Sequence, residues 1–200
     1  GTLGFERQQL ERLKETAPTL KVYTVSDGIS LLAAKHEGHS DSTDPHIWMS
    51  PKNVVQMARN VCNALCKDDP KHAEVYKKKL AELERHADEV DRRIRLMVSK
   101  VRYRNFLIYH PALAYFASEY GFHQLTIEQD GKEPSGDHLA TIITEAKAAE
   151  VHIIFLPREF KGRSVKPISK ATGARVVIIN PLAYRWDNEA IAIAKSLAAQ

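Results

Sequence analysis

Only two cysteines occur in 200 residues, and no C-x-x-C motif exists. Cys62 and Cys66 stand four apart in a helical pattern, so they stack on one helix face. With no second pair they cannot complete a four-cysteine zinc site, and a bridge across one helical turn would constrain little. They read as buried or half-buried thiols and say little about redox compartment. Long apolar runs are missing too: none approaches the roughly 20 residues that cross a bilayer. The opening GTLGFERQQLERLK is polar from residue 6 onward and does not read as a secretory signal. A mature chain whose signal has been removed remains compatible with it. Charge of one sign is scarce, with 29 Lys and Arg against 25 Asp and Glu and a net charge of +4. The densest basic runs, Lys77-Lys78-Lys79 and Arg92-Arg93-Ile94-Arg95, are interleaved with Glu82, Glu84, Asp88, Glu89 and Asp91. That pattern is a solvated helix face and not a nucleic-acid stripe, so no nucleic-acid partner is expected. G-x-S-x-G, H-E-x-x-H, Walker and G-x-G-x-x-G motifs are all absent, and GKEPSG (131–136) spaces its glycines wrongly. No internal repeat stands out. The missing machinery turns the reading from catalysis toward binding.

The residues present read as two unequal parts. Phe5, Leu10 and Leu13 recur at helical spacing before Pro18, and LKVYTV (20–25) alternates like a strand. KHEGHSDSTD (35–44) is an aperiodic loop. Ser50-Pro51 is an N-cap followed by Pro at the first helical position, opening a helix to about Cys66. From Lys71 to about Lys100 there is neither Gly nor Pro, and apolar residues recur from Val75 through Val98. That predicts a single helix of about 30 residues and about 45 Å, long enough for an architectural role. Strands then alternate with helices: 106–109, 123–128, 151–156 and 175–179, separated by helices 111–120, 137–149 and 162–171 and followed by 188–199. Near-continuous apolar strands such as VHIIFL and RVVII belong in a parallel sheet covered on both faces. The expected class is α/β: two parallel-sheet lobes bridged by one long helix. Residues 1–70 form a partial N-terminal lobe, 71–100 the linking helix and 101–200 a four-strand C-terminal lobe. One strand is not a sheet, so the N-terminal lobe is expected to be incomplete. A sheet edge left open in this way suits a homodimer or a swapped segment.

Nine histidines are a rich supply. His110 directly follows the strand 106–109, and parallel α/β folds bind ligands at the carboxyl ends of their strands. His46 ends the polar loop just before a helix. His36 and His39 lie within that loop and could catch metal loosely. His72, His86, His123, His138 and His152 show no partner pattern and go to structure or solvent.

A resemblance rests on several segments in order: DPHIWMSP (44–51), the uninterrupted long helix, YHPALAYFASEYGF (109–122), IEQDGKEPSGDHLATII (127–143), VHIIFLPREF (151–160) and TGARVVIINPLA (172–183). Together these resemble the zinc and manganese substrate-binding proteins of bacterial ABC importers, along essentially the whole chain. The resemblance implies two α/β lobes joined by a rigid helix, with metal held in the cleft by three histidines, often joined by a carboxylate or a water. His46 matches the histidine of the DPHIW motif, and His110 the histidine after the first strand of the C-terminal lobe. Manganese-type members commonly carry glutamate at that second position, so His110 tilts the choice to zinc over manganese. The loop with His36 and His39 resembles a metal-gathering loop. Two departures stand out. The family's earliest histidine would fall upstream of residue 1, along with the first strands of its lobe. Asn180 stands where relatives often place Asp in D-P-L, and a neutral amide suits a bound water better than zinc. Glu133 or Asp187 could supply a substitute ligand. The implied role is metal capture for delivery to an ABC permease, by a periplasmic or lipid-anchored protein and not an enzyme. A surface adhesin of the same fold and a zinc-dependent hydrolase are the alternatives.

Overall fold

A computed structural model describes residues 4–34, 43–129 and 131–200. The chain opens with helix α1 (Gly4–Thr16). Residues 20–25, expected as a strand, form none. They run beside the second helix, α2 (Pro51–Asp68), which holds them through side chains. Lys21 Nζ and Tyr23 Oη donate to Asp68 at 2.6 and 2.9 Å, and Asn60 donates to the Val25 carbonyl at 2.8 Å. Alternation shows that a segment could pair, but a strand exists only beside another strand. Among the described residues the one sheet is the four-stranded sheet of the C-terminal half.

Helix α2 starts where its signals stand: Ser50 Oγ accepts from the Asn53 N–H, and Pro51 occupies the first turn. A 3-10 turn (Pro70–His72) then leads into α3 (Ala73–Val98). At 26 residues α3 is about 39 Å long, slightly shorter than expected. Ion pairs one turn apart line its wet face, among them Lys77–Glu74, Lys79–Glu82 and Arg95–Asp91. Ala87, Val90, Ile94 and Val98 form its buried stripe.

Four strands follow: β1 (Asn105–Ile108), β2 (His123–Thr126), β3 (Ile153–Pro157) and β4 (Arg175–Ile179). Between and after them lie α4 (Ala114–Tyr120), α5 (Gly136–Ala148), α6 (Val165–Thr172) and α7 (Trp186–Ala198). All pairings are parallel, in the order β2-β1-β3-β4. The pleat divides the apolar strands between two cores. Phe106, Ile108, Ile153 and Phe155 pack with residues of α3, α4 and α7. Leu107, Tyr109 and Ile154 pack with residues of α5 and α6 on the other face. Gly121 and Gly173 close α4 and α6, as their positions predict. No helix among the described residues is long and apolar enough to cross a membrane.

Candidate metal centre

The strand order puts a switch point between β1 and β3. The chain leaves β1 toward β2 on one side, and leaves β3 toward β4 on the other. Open α/β folds bind ligands at the carboxyl ends of the strands beside such a point. His110 follows β1 at this point, and Phe160 follows β3. Their rings stack 5.0 Å apart at 20°. Helix α4 begins at Ala114, three residues later than the sequence suggests, because residues 110–113 turn instead, with the Ala112 N–H on the His110 carbonyl at 2.7 Å. His110 is thereby free of the helix and set on the rim of the sheet.

His46 arrives from the other half of the chain, just before a 3-10 turn (Ile47–Met49). The DPHIW segment is fastened residue by residue. Ile47 and Met49 are buried. Trp48 Nε1 donates to the Pro181 carbonyl at 2.9 Å, and Tyr115 Oη to the Asp44 carbonyl at 2.9 Å. The His46 and His110 rings stand 5.2 Å apart, centroid to centroid, inclined at 77°. A groove of about 760 Å³ beside α4 is lined by Asp44, His46 and Pro111, so His46 stands on its wall and His110 directly precedes one of its lining residues.

Each imidazole has a carboxylate behind it. Asp44 Oδ1 lies 2.8 Å from His46 Nδ1, and Glu128 Oε1 lies 2.8 Å from His110 Nδ1. Both carboxylates are buried, the Glu128 side chain to 1% exposure. An imidazole that donates from Nδ1 to a carboxylate presents Nε2 as its free donor atom, the arrangement in which histidines ligate metals. Beside His110, burial pushes the Tyr109 phenol up to about 12, with the Glu133 and Glu128 charges adding to it.

The other candidates are occupied elsewhere. Asn180 Oδ1 accepts from the Leu182 N–H at 3.3 Å, which closes its own turn at the end of β4. Glu133 accepts from the Arg163 and Ser164 N–H groups at 2.7 and 3.1 Å. Burial raises its carboxyl, but hydrogen bonds from Ser164, Arg163 and Tyr109 outweigh that and hold it lowered. Asp187 pairs with Arg185 and His86 at 2.9 and 3.0 Å. His36 and His39 lie outside the described residues. Among the described residues, no cluster of three or more His, Cys, Asp or Glu side chains gathers at metal-binding spacing. Sequence reasoning gave no role to Glu128 and Phe160, which lie 18 and 50 positions from His110, although both stand within segments that carry the resemblance. Asp44 was in view two residues before His46, but without a role.

The family model for the periplasmic zinc-uptake complex component A, ZnuA, matches residues 1–190. The chain belongs to that family. It is 28% identical over 148 residues to the zinc-binding protein AdcA of Streptococcus pyogenes serotype M6, covering 73% of this chain and 29% of AdcA. Against the high-affinity zinc uptake system protein ZnuA of Bacillus subtilis it is 30% identical over 169 residues, covering 78% of this chain and 53% of that protein. It thus spans 29% to 53% of the length of these curated relatives. A crystal structure of ZnuA matches with a TM-score of 0.90 at 31% identity, over 98% of this chain and 76% of that one. The four-stranded lobe and the long α3 are therefore features of the ZnuA fold.

Proposed function

We propose that this protein captures zinc, in preference to manganese, between His46 and His110 and hands it to an ABC permease from the outer face of the cell membrane. The supporting observation is the pair of adjacent imidazoles, each backed by a buried carboxylate. Zinc–imidazole bonds of about 2.0–2.1 Å put each ring centroid about 3.2 Å from the ion, so two imidazoles at a tetrahedral angle have centroids about 5.2 Å apart. The rings here are 5.2 Å apart. Imidazole donors suit zinc better than manganese. Two imidazoles are half of a tetrahedral shell, so the remaining positions fall to water or to side chains outside the described residues. Both nearby carboxylates are buried and engaged by imidazole Nδ1 atoms, which leaves neither placed as the general base of a hydrolase. Membership of a zinc-uptake family favours capture over the adhesin alternative. Proton and metal compete for the same imidazole nitrogen, so affinity falls on acidification.

Zinc titration against a competing chelator tests this, run beside the double variant His46→Ala, His110→Ala. One zinc is expected per parent chain. The double variant should bind at least about a hundredfold more weakly, since loss of a supporting residue alone costs about 10–100-fold. Equal affinity in parent and double variant would place the metal elsewhere.

A further inference from the structure

We propose that Glu133 is a positioning residue for the metal site: it latches the 158–164 loop so that Phe160 stays flat against His110. This rests on His110 being a metal ligand, as proposed above. The latch spans the sheet. Glu133 lies in the connection after β2, and its two carboxylate oxygens accept from the backbone N–H groups of Arg163 and Ser164 after β3, at 2.7 and 3.1 Å. Hydrogen bonds to an ionised acceptor are about twice as strong as neutral ones, and these two lie at the N-terminal end of α6, where negative charge is favoured.

The held loop is short and otherwise tight. The Arg158 N–H donates to the Ile179 carbonyl at 2.9 Å and the Phe160 N–H to the Pro157 carbonyl at 3.0 Å. Phe160 packs between two neighbours, 5.3 Å from the Tyr109 ring and 5.0 Å from the His110 ring. Glu128 already fixes one edge of His110 through Nδ1. With Glu128 at Nδ1 and Phe160 over one face, the imidazole has little room to tilt. Without the latch, two N–H groups lose their acceptor and the loop can swing Phe160 off the ring. His110 then samples orientations that do not ligate, and a bound ion leaves sooner.

The test compares the parent chain with Glu133→Ala, Phe160→Leu and the double variant. Its first readout needs no metal: the proton signals of the His110 ring, shifted upfield by the stacked phenyl. E133A should move them downfield toward their F160L positions, while the His86 and His138 signals stay in place. The second readout is zinc release into excess chelator. It should quicken by about tenfold in E133A and in F160L, and be no faster in the double variant than in F160L. His110 signals unmoved in E133A but displaced in F160L would overturn the latch. So would release that quickens in F160L alone. A parent that takes up no zinc would sink the metal reading, yet the His110 signals would still decide the latch. If E133A does not fold, Glu133→Gln keeps one acceptor oxygen and should move the signals the same way by less. Unmoved signals there overturn the proposal.

Discussion

Asp44 holds His46 at two atoms: its Oδ1 lies 2.8 Å from the His46 backbone nitrogen and 2.8 Å from the ring Nδ1. The carboxylate therefore sets both where the backbone turns and which ring nitrogen points away. Its own backbone is anchored by Tyr115, whose hydroxyl donates to the Asp44 carbonyl and accepts from the Leu32 N–H.

Removing that grip with Asp44→Ala should leave the chain folded and weaken zinc binding by about 10–100-fold, the usual cost of losing a carboxylate behind a ligating histidine. Chelator competition measures it. Unchanged affinity would mean that Trp48 and the buried Ile47 and Met49 orient His46 unaided.

Gly162 sits at φ +51°, and a Cβ there would lie 2.7 Å from Leu156 Cδ1 and 3.0 Å from Val165 Cγ2. Gly162→Ala is expected to destabilise the chain by about 1 kcal/mol or more, since both the backbone region and the space refuse a side chain. Denaturant unfolding reads the difference, and a neutral result would show that the loop relaxes.

Hydrogen bonds from Arg185 hold Asp187 well below the usual carboxylate range, with Asn188 and His86 adding to the effect and burial opposing it. A carboxylate depressed in the folded state adds stability that is fully present above its unfolded pKa, about 3.9, and is lost as pH falls toward the folded value. The gap in stability between the parent and Asp187→Asn should thus shrink as pH falls below about 4. A gap that widens below about pH 4 would contradict the assignment.

Helix α3 packs against both α2 and α7 as one continuous helix of 26 residues. With such a strut, metal release should come from local loop movement and not from a wide hinge. Solution scattering should give the same radius of gyration with and without zinc. A large change on zinc addition would show that α3 bends or that the halves rotate about its ends.

Much of this protein is written in local pattern. The Ser50-Pro51 start of α2, the long uninterrupted α3 and the apolar strands β1, β3 and β4 each depend on neighbours a few positions away. Capping, i to i+4 spacing and alternation display those relationships directly. His110 could be placed at a strand end for the same reason, and His46 in a motif.

What only the tertiary structure decided are the relationships between distant positions. Residues 20–25 alternate like a strand, yet they lie along α2 because no described strand stands beside them. Glu133, a candidate ligand in the sequence, is bound instead to the N–H groups of Arg163 and Ser164. Asn180 closes its own turn. Glu128 and Phe160 meet His110 because parallel pairing brings the ends of β1, β2 and β3 to one rim of the sheet. Periodicity tells a residue which face it occupies, but only the strand order tells it which residue it will face.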